Sequence, residues 1–190
     1  MVGAILTQNT SWRNVEKAIA GLKQRGLLTP RSLATADLGL IENAIRSSGF
    51  YKQKAERLKL FAHWLMDKYD GELDLLFAVP LQNLRKELLS LKGIGPETAD
   101  SILLYAGNKP VFVIDAYTRR IFWRLGLTKE DAKYDELQEF FESRLPHDVE
   151  LFKDYHAQIV ELGKTYCRKK PLCAGCPLRA ICKNSGIGMS

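Results

Sequence analysis

The chain has 190 residues, 46% hydrophobic and 26% charged, with a formal net charge of +6. This balance excludes a disordered polyelectrolyte and supplies enough apolar material for one core or two small lobes. Apolar runs such as Val111–Ile114 are far too short to cross a membrane and residues 1–10 lack a basic leader, so a soluble, unexported, cytoplasmic protein is expected.

In chain order, apolar residues recur with the 3.6-residue period of amphipathic helices in NVEKAIAGLKQRGL from Asn14, LGLIENAIRSSG from Leu38 and YKQKAERLKLFAHWLMDKYDG from Tyr51. Ser11 precedes the first of these, and Gly26, Gly49 and Gly71 stand where helices stop. Further helices are predicted over 80–91, 96–106, 115–125, 133–145 and 148–166, while 111–114 alone has a strand-like pattern and is too short to build a sheet. The expected fold class is all-α. The expected lobes are 10–110 and 111–190, the second completed by the N-terminal residues.

Residues 91–106 carry the first functional signal, LKGIGPETADSILLYA. Gly93 and Gly95 lack a Cβ, so this turn can bring backbone N–H groups close to an anion at the start of the following helix. Phosphate is the natural anion, with Lys92, Ile94 and Thr98 as further contacts. Asp115 follows Gly95 by twenty residues and places a carboxylate beside this clamp; its alternative role is to cap the helix that begins AYTRRIF. Glu97, just after Pro96, suits a helix N-terminus electrostatically. His63, His147 and His156 have no ligand spacing and receive no role.

The net charge is concentrated at one end. Residues 162–190 hold Lys164, Arg168, Lys169, Lys170, Arg179 and Lys183 and no acid, and the bases elsewhere equal the 22 acids in number. Beside a phosphate-binding hairpin, such a tail fits a nucleic-acid partner. The same tail holds every cysteine: Cys167, Cys173, Cys176 and Cys182, spaced C-x5-C-x2-C-x5-C. Two disulfides suit an oxidising compartment, which nothing here indicates. A zinc site built from four cysteines usually presents two short CxxC pairs, whereas this chain has one pair with wider flanks. A [4Fe-4S] cluster takes four thiolates from a compact loop and suits these intervals better, with zinc as the alternative.

Together LKGIGPETAD, VIDAYTRRI, SGFYKQKAERL and the terminal cysteines resemble the helix-hairpin-helix, Gly/Pro-Asp superfamily of DNA glycosylases that includes endonuclease III, from about Leu6 to Cys182. The resemblance implies two helical lobes with a helix-hairpin-helix at 91–106 and a [4Fe-4S] loop at 167–182. It also implies a monomer acting on damaged bases in double-stranded DNA, associated with the nucleoid. ILTQNTSWRNV resembles the segment that fills the gap left by an extruded base, which points to Gln8 and Asn9. An enzyme acting on a base takes it out of the stack, and Asp115 would stabilise the oxocarbenium-like sugar or orient the attacking water.

Three departures refine the expectation. Bifunctional members carry a lysine where this chain has Glu97, so Schiff-base chemistry is not available at that position; only another lysine, with Lys54 as a candidate, would restore it. The histidine two residues after the aspartate is replaced by Tyr117, and the first cysteine gap is one residue short. Glu97 with Tyr117 resembles the 3-methyladenine DNA glycosylase III branch, which is monofunctional and removes alkylated purines. Such bases are cationic, so aromatic faces would select them, with Trp12, Phe50 and Tyr51 as candidates. Arg119 and Arg120 lie near the aspartate in sequence. Members of this branch begin with a further helix bearing pocket aromatics, whereas this sequence starts five residues before Leu6, so the expectation is either a misassigned or truncated start or a pocket that lacks a part. The alternatives are an endonuclease III-like glycosylase with lyase activity on oxidised pyrimidines, and a non-catalytic iron-sulfur DNA-binding protein.

Overall fold

The structure, a computed structural model, describes residues 1–183, and every regular element among them is helical. The chain divides into two compact units, Met1–Gly107 and the residues from Asn108 onward. Residues 184–190 of the expected second lobe lie outside the described residues.

The first unit holds α1 (Val2–Leu6), α2 (Trp12–Gln24), α3 (Pro30–Thr35), α4 (Leu38–Ala44), a 3-10 turn (Arg46–Ser48), α5 (Tyr51–Tyr69), α6 (Leu73–Ala78), α7 (Leu81–Ser90) and α8 (Pro96–Tyr105). Leu58, Phe61, Ala62 and Leu65 recur at three- and four-residue spacing on α5 and are buried, forming the stripe on which α1, α3 and α4 pack. The N-terminal helix therefore belongs to the first unit and not the second: Ile5 and Leu6 of α1 are fully buried, and α1 packs on α2, α5 and α8.

Local chemistry sets the ends of these elements. Ser11 stands at the N-cap of α2 without a side-chain bond, whereas Thr29 and Ser32 form a capping box at α3 with Pro30 in the first turn. Past the end of α5, Asp70 and Gly71 both turn left-handed, with φ of 54° and 77°. α7 and α8 are tied by a bidentate pair, Arg85 Nε to Asp100 Oδ1 at 2.7 Å and Nη2 to Oδ2 at 3.0 Å, with Asp100 fully buried. This pair fixes the two helices that flank the Gly93–Gly95 turn.

The second unit holds an extended segment at 111–114, α9 (Ala116–Arg124), α10 (Tyr134–Glu142), α11 (Val149–Thr165) and the cysteine loop with its 3-10 turn at Cys173–Gly175. Its core is aromatic: Phe112 stacks on Phe141 at 4.1 Å between ring centroids, and Phe152 and Tyr155 meet Phe112 edge-on.

The strand-like pattern at 111–114 is not a strand. Side chains of α10 take the place of a partner strand: Phe112 N donates to Glu142 Oε1 at 2.8 Å, Gln138 Nε2 donates to Phe112 O at 2.8 Å, and Ile114 N donates to Tyr134 Oη at 3.3 Å. Residues 134, 138 and 142 share one helix face, so a single helix satisfies the buried backbone that an edge would leave bare. The unbroken apolar run Val111–Ile114 reports burial, not pairing.

Candidate active site and nucleic-acid interface

In the first unit the turn between α7 and α8 is exposed at Lys92, Gly93 and Gly95. Gly93 has φ of 87°, a left-handed conformation that favours glycine, and a Cβ there would stand 2.3 Å from Arg57 Nε and have to displace that side chain. Pro96 opens α8 and Glu97, exposed, sits in its first turn. No amine stands at that position.

Two residues expected to touch DNA have inward-facing side chains. Ile94 is 6% exposed, and Thr98, also buried, accepts a hydrogen bond at Oγ1 from Gln8 Nε2 at 2.9 Å. Gln8 Nε2 also donates to Gly93 O at 3.1 Å, and its Oε1 accepts from Arg57 Nη1. Gln8 thus braces the hairpin through both ends of its amide. Asn9 is exposed, with φ of 54°. Arg57, which carried no signal in the sequence beyond a place on a helix, is the cation that covers Gly93.

Lys54 does not fit the role of an alternative Schiff-base amine. Its Nζ is buried and donates to Leu6 O at 2.9 Å and Ser48 O at 2.6 Å. Burial, and then the charge of Arg57, push its pKa down. To reach DNA it would have to leave two backbone carbonyls without partners. Of the aromatic candidates, Phe50 is 66% exposed with φ of 45° and Trp12 is 51% exposed, whereas Tyr51 lies under the Arg46 guanidinium at 5.5 Å.

In the second unit Asp115 caps α9. Its Oδ1 accepts from Thr118 N at 2.7 Å and from Thr118 Oγ1 at 2.8 Å. Its Oδ2 stands 3.6 Å from His156 Nε2 on α11. Burial pushes the Asp115 carboxyl up, but His156 and the Thr118 N–H and hydroxyl outweigh it and hold the group below the usual carboxylate range. The cap and an ionised carboxylate therefore coexist in one side chain. His156 was missed by spacing because its proximity comes from the packing of α11 on α9.

The same helix reaches the cysteines. Arg120 lies over the Tyr117 ring at 5.1 Å and donates from Nε to Cys167 O at 2.7 Å. Arg124, 8% exposed, donates from Nη1 to Arg168 O at 2.7 Å and to Cys167 Sγ at 3.4 Å, and from Nη2 to Lys169 O at 3.1 Å. All four cysteines are free, and they line one small pocket with Arg124, Tyr166 and Arg179. Four soft thiol donors with a buried guanidinium beside them are a donor set for a thiolate-held metal group, whose negative charge Arg124 would offset. Among the described residues no three metal-ligating groups are gathered as a single ion requires.

A hairpin that presents its backbone to an anion, a capped and ionised carboxylate, and a basic loop of thiols define a helix-hairpin-helix protein that acts on DNA. The chain belongs to the HhH-GPD superfamily of base excision DNA repair proteins, matched over residues 2–147, and is a DNA glycosylase of the endonuclease III family. A candidate DNA repair glycosylase of Methanocaldococcus jannaschii is 50% identical over 184 residues, covering 96% of this chain and 83% of the relative. Endonuclease III of Thermotoga maritima is 34% identical, covering 96% and 81%. Among solved structures, a trapped endonuclease III–DNA covalent intermediate superposes with a TM-score of 0.84 at 27% identity, over 100% of this chain and 84% of the other. A Helicobacter pylori 3-methyladenine DNA glycosylase bound to 1,N6-ethenoadenine superposes with a TM-score of 0.75 at 32% identity, over 86% and 82%.

Proposed function

We propose that the protein is a monofunctional DNA N-glycosylase that hydrolyses the glycosidic bond of alkylated purines of the 3-methyladenine type. The observation that carries this reading is what stands where a reactive amine would be needed: Glu97 sits in the first turn of α8, and the Lys54 ammonium is buried and bonded to Leu6 O and Ser48 O. The substrate class is supported by the 32% identity to the Helicobacter 3-methyladenine DNA glycosylase.

The roles follow from the residues. The exposed turn at Lys92, Gly93 and Gly95, at the positive end of α8, accepts a DNA phosphate, with Ile94 and Thr98 holding the turn in shape. Asn9, with Gln8 behind it, enters the gap that the extruded nucleotide leaves. An alkylated purine is already cationic and leaves without a strong acid. The Asp115 carboxylate then faces a sugar with oxocarbenium character, which its charge stabilises. An exposed aromatic face such as Phe50 or Trp12 favours a cationic base over a neutral one.

Cys167, Cys173, Cys176 and Cys182 hold a [4Fe-4S] cluster in this reading. Their lining of a shared cavity suits a cluster better than a single zinc ion. When bound, the cluster supplies a rigid cross-link for the basic loop, whose Lys169 and Lys170 are exposed towards a second stretch of DNA backbone. The protein works as a monomer on damaged duplex DNA in the cytoplasm, at the nucleoid.

The test is a base-release assay on methylated and oxidised duplexes with the wild type and Asp115→Asn. Release of methylated purines by the wild type and its loss in Asp115→Asn is the expected result. Oxidised pyrimidines as the preferred substrate would favour the second reading, an endonuclease III-like glycosylase and lyase, to which the TM-score of 0.84 lends weight. No release from either duplex would leave a non-catalytic iron-sulfur DNA-binding protein.

A further inference from the structure

We propose that Arg124 raises the reduction potential of the cluster held by Cys167, Cys173, Cys176 and Cys182, by donating from Nε to one of its sulfurs. The inference rests on the cluster reading above. Arg124 closes α9, is 8% exposed, and lines the pocket that the four cysteines line. Its two outer nitrogens are engaged: Nη1 donates to Arg168 O at 2.7 Å and to Cys167 Sγ at 3.4 Å, and Nη2 donates to Lys169 O at 3.1 Å. Nε is buried and has no hydrogen-bond partner among the described residues. A charged N–H left bare in the interior is costly, so it calls for an acceptor that these residues do not supply. Cys182 Sγ also stands 3.3 Å from Arg124 O, so the first and last thiols of the motif both lie against this residue.

The direction of that N–H is fixed. A guanidinium is planar, and the bonds to the two successive carbonyls after Cys167 hold its plane, so Nε–H cannot turn away without losing a bond to the loop. Of the groups that line the pocket, Arg179 is a donor only and Pro171 has no side-chain acceptor, whereas the cysteines bring sulfur. Lys169, Lys170 and Arg179 are exposed and screened by water and salt, while Arg124 acts from the low-dielectric interior. When a cluster gives up an electron its sulfurs lose negative charge, and both the cation and the hydrogen bond become weaker partners. Arg124 therefore favours the reduced state. No bond to the protein forms or breaks in that exchange; in the measurement the electron passes between the cluster and an electrode.

The experiment uses the full chain with its cluster. Iron and acid-labile sulfide are quantified first, then the midpoint potential is read on an electrode and the Fe–S stretching bands by resonance Raman in H2O and D2O. Arg124→Lys keeps a cation without the Nε–H, and Arg124→Met removes both. The expected result is a deuterium shift of the Fe–S bands in the wild type that shrinks in both variants. In Arg124→Met the redox equilibrium moves about tenfold towards the oxidised form, about 59 mV for a one-electron couple, with Arg124→Lys in between. The potential is read from loaded molecules alone, so poorer loading of a variant, which a merely structural role would cause, does not move it. Wild-type potentials in both variants overturn the proposal. If a variant holds no cluster, the wild type decides, and bands unmoved by D2O overturn it. A wild type that carries zinc and no iron sinks the cluster reading, and this role with it, before any variant is compared.

Discussion

Gly163 on α11 lies so close to Tyr117 on α9 that a β-carbon there would stand 2.2 Å from Cδ1 of the tyrosine ring. Gly163→Ala should therefore destabilise the second unit by about 1–3 kcal/mol, as over-packing of a tight contact does. Adding Tyr117→Ala should relieve part of that loss, so the double variant is less destabilised than the sum of the two. Denaturant unfolding of the four proteins in the cycle measures it, and strict additivity would contradict the contact.

Gly93→Ala combines a left-handed backbone, φ of 87°, with a collision against Arg57 at 2.3 Å. The expected outcome is a hairpin strained by about 1–2 kcal/mol and weaker binding to undamaged duplex. Arg57→Ala removes the collision but also frees Gln8 Oε1, so binding should weaken there too. Titration of a fluorescent duplex at fixed salt reads both.

Lys54 gives a pH signature. Its pKa is lowered by burial and by Arg57, so the unfolded chain binds this proton more tightly than the folded one. Stability from this group therefore rises with pH between the lowered value and the unfolded value of about 10.4. Lys54→Met should abolish that rise and cost about 2–4 kcal/mol, because Leu6 O and Ser48 O lose their donor. Unfolding at a series of alkaline pH values checks it.

Arg124 bridges α9 to the cysteine loop through Arg168 O, Lys169 O and Cys167 Sγ. Arg124→Met should speed the loss of iron to a chelator while leaving the helical circular dichroism in place. Iron and acid-labile sulfide in equal amounts, about four per chain, are expected in the wild type, and a colourless zinc-loaded protein would contradict the cluster.

The long helices were legible because their apolar residues repeat at helical spacing over many turns, as on α5. α1, α3 and α6 are only five or six residues long, too short for a period to declare itself, and are held by packing and caps. Val111–Ile114 misread as strand-like because a short continuous apolar run encodes burial, and the donors and acceptors that satisfy its backbone sit a helix away on α10. Of the candidate site, Asp115 and the cysteines stood out because their motifs are local. His156 and Arg57 did not, since each gains its place from a tertiary contact, with Asp115 and with Gly93. Gln8 stood out as a residue for the DNA gap, yet its amide is engaged in bracing the hairpin, a partnership that only the fold reveals.

Asp115→Asn separates cap from catalysis. Asparagine caps a helix about as well as aspartate, so the cap survives and the melting temperature at neutral pH should fall only by what the ionised carboxylate contributes. The depressed carboxyl contributes stability that is present above its unfolded pKa of about 3.9 and is lost as pH falls through the lower folded value. The variant should lose that acid-side dependence along with base release.

The most direct measurement is borohydride trapping of the wild type on duplex containing methylated purines, with free base quantified in the same reaction. Release of alkylated base with abasic DNA left intact and no covalent protein–DNA product is the predicted result. A trapped covalent complex accompanied by strand cleavage would contradict a hydrolytic enzyme that lacks an amine at Glu97.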